Sequence, residues 1–128
     1  MMAVSGDYLL EWSDFRDNLA STAEALRHDN VFTDITLISE DLQDFQVHRV
    51  VLSSCSNLLR DILFKLPGNY PSLFFKGIQG REMKAILEFI YQGKTSVSQD
   101  KLDAFMEASE TLKLKGLAGE TLVPEESY

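Results

Sequence analysis

The sequence predicts an α+β domain in which a cluster of helices is capped by a small β-sheet. Three observations lead there. Apolar residues recur at helical spacing in several separate stretches, as in Phe15, Leu19, Ala23 and Leu26. Two short runs rich in β-branched and aromatic residues, Ile35–Ile38 and 45–47, flank a polar turn at 40–44 and read as a hairpin. No internal repeat, low-complexity segment or linker divides the 128 residues, so one core is expected.

Residues 1–7 are small or polar and are expected to be flexible. Tyr8, Leu9, Leu10 and Trp12 form an apolar patch too short to bury itself. As a strand it would need a neighbouring edge, which makes it a candidate partner-binding element. Ser13 or Asp14 caps the first helix, and His28, Asp29 and Asn30 end it. After the hairpin, Val50, Val51 and Leu52 lead into a helical turn that Ser53, Ser54 and Ser56 break and recap. A helix over 57–64 presents Leu58, Leu59, Ile62 and Leu63 until Pro67, Gly68 and Asn69 stop it.

Residues 72–75 are a further strand, which Pro71 confines to an edge. From Arg81 the helical period returns through Met83, Ile86, Leu87, Ile90 and Tyr91, and Gly93 terminates it. Residues 95–97 read as short and extended. Ser98 caps a helix carrying Leu102, Phe105, Met106 and Leu112, with Asp100 favourable to the dipole in its first turn. Leu114 and Leu117 read as a shorter helical continuation, and Gly119 and Pro124 close the ordered region. The expected organisation is a flexible 1–7, a domain over 8–119 and a tail over 120–128.

At this length a chain buries roughly two-thirds of its unfolded surface without staples. Cys55 is the only cysteine, so no internal disulfide forms and no Cys/His zinc cluster is expected. A reducing, intracellular setting fits that usage. Twelve basic side chains stand against twenty acidic ones, a formal charge of −8, and the basic residues are scattered. Direct contact between this segment and nucleic acid is not expected. The opening MMAVSGDYLLEW has no basic n-region and its apolar run is brief, so neither a signal peptide nor a membrane span is read there.

Several ordered motifs resemble the BTB/POZ family over roughly 8–119. FTDITL at 32–37 is followed by VHRVVLSSCS at 47–56, similar to the family's Asp-initiated strand, His-basic pair and Leu-Ser/Ala-Ser/Ala-Cys-Ser run. LEFIYQG at 87–93 resembles its Phe-x-Tyr-x-Gly helix end, and ASETLKLKGL at 108–117 its terminal pattern. YLLEWS at 8–13 is similar to the Phe-x-Leu-Arg-Trp-Asn opening of the insect Tramtrack-type subgroup, with Glu11 and Ser13 where that opening has Arg and Asn.

The resemblance implies a non-catalytic homodimer, or a higher homo-oligomer, that pairs through its N-terminal strand and first helix. Leu9, Leu10, Trp12, Phe15 and Leu19 are the implied dimer contacts. It also carries Asp34 and Arg49, with His48 beside them, to a charged pocket near the dimer groove. Corepressor or chromatin proteins are the implied further partners, a transcription or chromatin regulator in the nucleus the implied setting, and no cofactor is implied. The alternative within the family is a substrate adaptor for a cullin-type ubiquitin ligase.

The residue pattern itself agrees in kind, because a detached apolar strand and a striped first helix are liabilities that pairing removes. The opposing reading places all five residues in their own monomer core. An enzyme is the reading from a different class. Asp103, Glu107 and Glu110 can share a helix face, but such acids are ordinarily a solvated surface. His48 and Cys55 lie seven residues apart with no accompanying oxyanion-hole motif, and a packing role suits both better than thiol chemistry.

Overall fold

The computed structural model describes residues 6–117. In chain order the elements are α1 (Phe15–His28), β1 (Ile35–Ile38), β2 (Asp44–Val47), α2 (Arg49–Cys55), α3 (Asn57–Lys65), β3 (Ser72–Phe74), α4 (Gly80–Gln92), a 3-10 turn (Gln99–Lys101) and α5 (Leu102–Thr111). Residues 1–5, Gly119, Pro124 and the 120–128 tail lie outside the described residues.

The sheet has the order β2-β1-β3. β1 runs antiparallel to β2, with Ile35 opposite Val47, and parallel to β3, with Leu37 opposite Leu73. Strand alternation sends Ile35 and Leu37 inward, where both are buried, and turns Thr36 toward Gln46 on the other face. Pro71 stands just before the edge strand β3 and contributes only its carbonyl, which accepts the Thr36 N–H at 3.1 Å. The inner face packs on α4, whose Met83, Ile86 and Leu87 are buried at the centre of the core. Gly93 ends α4 in the left-handed region at φ 83°.

Three serines and acids join distant elements. Ser56 adopts an extended conformation that separates α2 from α3. Its hydroxyl oxygen accepts the Leu59 N–H at 3.1 Å and its proton goes to the Leu112 carbonyl at 2.6 Å. In the hairpin turn, the Asp41 carboxylate accepts the Gly80 N–H at 2.8 Å, so a strand connection caps α4. The Ser39 hydroxyl also donates to Asp41, and this hydrogen bond is the main reason its carboxyl is held below the usual range. Burial opposes it less strongly, and the Gly80 N–H adds to the lowering.

A lowered folded pKa means that the ionised form favours the native state. The contribution of Asp41 is therefore full above the unfolded carboxylate range, about pH 4, and is lost as the pH falls through the lower folded value. Denaturant titrations of wild type and an Asp41→Asn variant are expected to differ most near neutrality and to converge in acid.

Three sequence expectations are corrected. Residues 8–12 form no strand and join neither edge of the sheet. The Ser98 helix begins instead as the 3-10 turn, and the Ser98 side chain forms no capping bond to it. Leu114 lies in irregular backbone and Leu117 in a turn, not a helix, because Lys113 and Gly116 take positive φ of 52° and 90°. The turn still delivers Leu114 to the core, and Lys115 N–H bonds to the Cys55 carbonyl at 2.8 Å.

Candidate self-association surface

α1 buries no residue completely, and its two halves differ. In the C-terminal half, Ala23 packs against the core, and the Arg27 guanidinium lies 4.9 Å from the centre of the Tyr91 ring. Arg27 donates to both Glu24 carboxylate oxygens at 2.8 and 2.9 Å, while Gln92 Nε2 donates to Glu24 at 3.0 Å. These contacts clamp that half onto α4. The N-terminal half has no such cover: Phe15 and Leu19 are exposed on the same stripe.

The segment leading into α1 continues the exposed surface. Leu9 and Leu10 are 84% and 88% exposed, Tyr8 and Trp12 are open, and Trp12 packs edge-on against Phe15 with ring centres 5.4 Å apart. All five residues are exposed in the single chain, outside its hydrophobic core. Burying each such side chain is worth roughly 1.5–3 kcal/mol, so the surface holds a large latent driving force for association.

The charged residues are brought together beside the other end of α1. Asp34 Oδ1 accepts the Arg49 backbone N–H at 2.7 Å, and Oδ2 accepts Arg49 Nε at 3.1 Å. Both side chains are about one-third exposed. Asp34 thereby caps α2, whose own N-cap residue, His48, makes no side-chain cap.

His48 itself is buried between two partners. Its Nε2 faces the Val31 carbonyl at 2.9 Å, and a carbonyl only accepts, so Nε2 carries the proton. Nδ1 then accepts from the Tyr91 hydroxyl at 2.7 Å, and the same oxygen accepts the His48 N–H at 3.0 Å. Burial pushes the Tyr91 phenol up to about 12, which keeps it a neutral donor. His48 is in this way a fully engaged packing residue. Cys55 is half-buried with its thiol toward the Ile90 carbonyl, and Asp103, Glu107 and Glu110 are exposed on α5. Among the described residues no three His, Cys, Asp or Glu side chains converge as a metal site, and no helix is long and apolar enough to cross a membrane.

Sequence reasoning missed two exposed apolar residues at this end: Phe32, 81% exposed, and Val50 in the first turn of α2. Phe32 lies before the strand read at Ile35–Ile38, and Val50 in the run read as leading into a helical turn. Only the placement of Asn30 and Asp34 on either side of the aromatic hinted at a turn.

A model of the BTB/POZ domain matches residues 23–121, and the chain belongs to that family. It is a non-catalytic protein-interaction and oligomerisation domain. Among its relatives is the Drosophila melanogaster Longitudinals lacking protein-like, 38% identical over 118 residues, which cover 92% of each chain. Protein tramtrack, alpha isoform, of the same organism is 36% identical over 117 residues, which cover 91% of this chain and 14% of that protein. Transcription activator GAGA is 31% identical, with 93% of this chain and 20% of the relative covered. The BTB domain of zebrafish PATZ1 shares the fold, with a TM-score of 0.78 at 22% identity over 88% of this chain and 92% of that one.

Proposed function

We propose that residues 8–119 form the homo-oligomerising module of a nuclear transcription or chromatin regulator, with Leu9, Leu10, Trp12, Phe15 and Leu19 in the contact between copies. The observation that carries this is the division of α1 into a clamped half and an uncovered apolar half continuous with an exposed apolar arm. Two-fold pairing covers the same patch on both chains at once. The spacing of apolar residues in 8–13 supports kinship with the Tramtrack-type subgroup, and relatives such as Transcription activator GAGA support the nuclear setting.

In that setting pairing acts through multivalency. Joining two polypeptides makes the second contact of any attached binding region intramolecular, which raises avidity without a new contact surface. The Asp34–Arg49 pair, with His48 behind it, leaves one charged, partly exposed feature near the pair, suited to orienting a corepressor or chromatin partner.

Sedimentation over about a hundredfold concentration range tests the reading. Wild type is expected to persist as a dimer or a discrete larger species, and deletion of residues 1–12 to lower the assembled mass. A wild-type monomer throughout the range would overturn it.

A further inference from the structure

Ser109 of α5 is 3% exposed, and among the described residues its hydroxyl is the only buried side-chain polar group without a hydrogen-bond partner. The usual helical remedy is taken two residues on, where the Thr111 hydroxyl donates to the Glu107 carbonyl at 3.0 Å. Ser109 instead lines a cleft of about 260 Å³ walled by Met106, Leu114 and Leu117, with the exposed Glu110 and Lys113 beside them. A buried hydroxyl among apolar walls is costly without an acceptor, so its presence points to an acceptor supplied by whatever fills the cleft. The backbone is strained to build these walls. Leu114 N–H bonds to the Ser109 carbonyl at 3.1 Å, Lys113 N–H bonds to the Glu110 carbonyl at 3.0 Å, and Lys113 is held at φ 52°, which a non-glycine residue seldom adopts.

The sequence that follows Leu117 carries the fitting chemistry. Residues 118–128 read AGETLVPEESY, in which Leu122 and Val123 are the large aliphatic side chains. They stand five and six positions beyond a wall of the cleft, within a reach of about 20 Å. Thr121 and Val123 are β-branched and Val123 precedes Pro124, so this stretch favours extended backbone over helix. Extended backbone has unpaired carbonyls to offer, the acceptor that the Ser109 proton lacks. Charge fits as well: Glu120, Glu125 and Glu126 are the charged side chains of the segment, and the turn before it exposes Lys113 and Lys115.

We propose that the cleft on α5 is a docking site for residues 118–128 of the same chain, which cross it as an extended strap. Leu122 and Val123 pack against Met106, Leu114 and Leu117, and a strap carbonyl accepts the Ser109 hydroxyl. The loop to be closed is short, and tethering keeps the local concentration of the strap high. A region attached beyond the strap leaves the domain beside α5 along a set path.

Digestion of the full chain with a glutamate-specific protease tests the strap, with a free peptide of residues 116–128 as the undocked reference. Cleavage after Glu120 and Glu125 is expected to be at least about tenfold slower in the chain than in the peptide, at every protein concentration. Leu122→Asp is expected to bring the chain to the rate of a peptide with the same substitution while the cooperative thermal transition persists. Ser109→Ala is expected to speed cleavage about fivefold, through loss of one hydrogen bond to the strap. Equal rates for wild-type chain and peptide would overturn the docking. So would protection that survives Leu122→Asp, or a Ser109→Ala chain as resistant as wild type, since the segment would then lie elsewhere. Protection that fades on dilution would assign the cleft to a second copy and overturn the strap within one chain.

Discussion

A Leu19→Asp variant is expected to raise the dissociation constant of the pair by a hundredfold or more, about 3 kcal/mol. Leu19 is 58% exposed in the single chain and lies on the uncovered half of α1, so an aspartate there is solvated in the monomer and costs little. In the pair the same carboxylate would enter an apolar contact without a partner. The loss should therefore appear as a concentration-dependent fall in thermal midpoint together with a lower mass by sedimentation. A fall of equal size at every concentration would place Leu19 in the monomer's own packing and contradict the proposed contact.

The second large effect is expected inside the monomer, in a Ser56→Ala variant. Ser56 is 0% exposed, and its one hydroxyl serves both the Leu59 N–H at the start of α3 and the Leu112 carbonyl at the end of α5. Alanine leaves both backbone groups unpaired in the interior. Each buried orphan costs about 1–3 kcal/mol, so a loss of roughly 2–6 kcal/mol is expected in denaturant unfolding, independent of protein concentration. A Ser56→Thr variant keeps the hydroxyl and is expected to recover part of it. A change below about 0.5 kcal/mol in the alanine variant would show that water replaces the hydroxyl at both sites.

What could be read from the sequence was what local chemistry determines. The β1–β2 hairpin follows from alternation around a polar turn, the α4 stop from a glycine able to take positive φ, and the break between α2 and α3 from a serine that competes for backbone hydrogen bonds. The exposed arm and the stripe of α1 were also legible, since five apolar residues with no neighbouring edge announce an unmet need for cover. The rest depends on long-range placement. Asp34 caps a helix that begins fifteen residues later, and His48 meets a tyrosine forty-three residues away. Neither separation has a period to detect. Phe32 precedes the strand read at Ile35–Ile38, and nothing in the sequence marks the positive φ or the exposure of its ring. Leu114 and Leu117 carry helical spacing, but turns of positive φ reach the core equally well.

Two helices of this domain owe their starting points to acids outside themselves. Asp34 precedes β1 and holds the first residue of α2, and Asp41 follows β1 and holds the first residue of α4. The strand between them thus acts as a ruler laid against the helical layer, with a peg at each end. A slip of one residue in β1 would withdraw both pegs and turn Ile35 and Leu37 toward solvent. Sheet register and the starting points of α2 and α4 are therefore a single decision for this chain, made by four residues of strand.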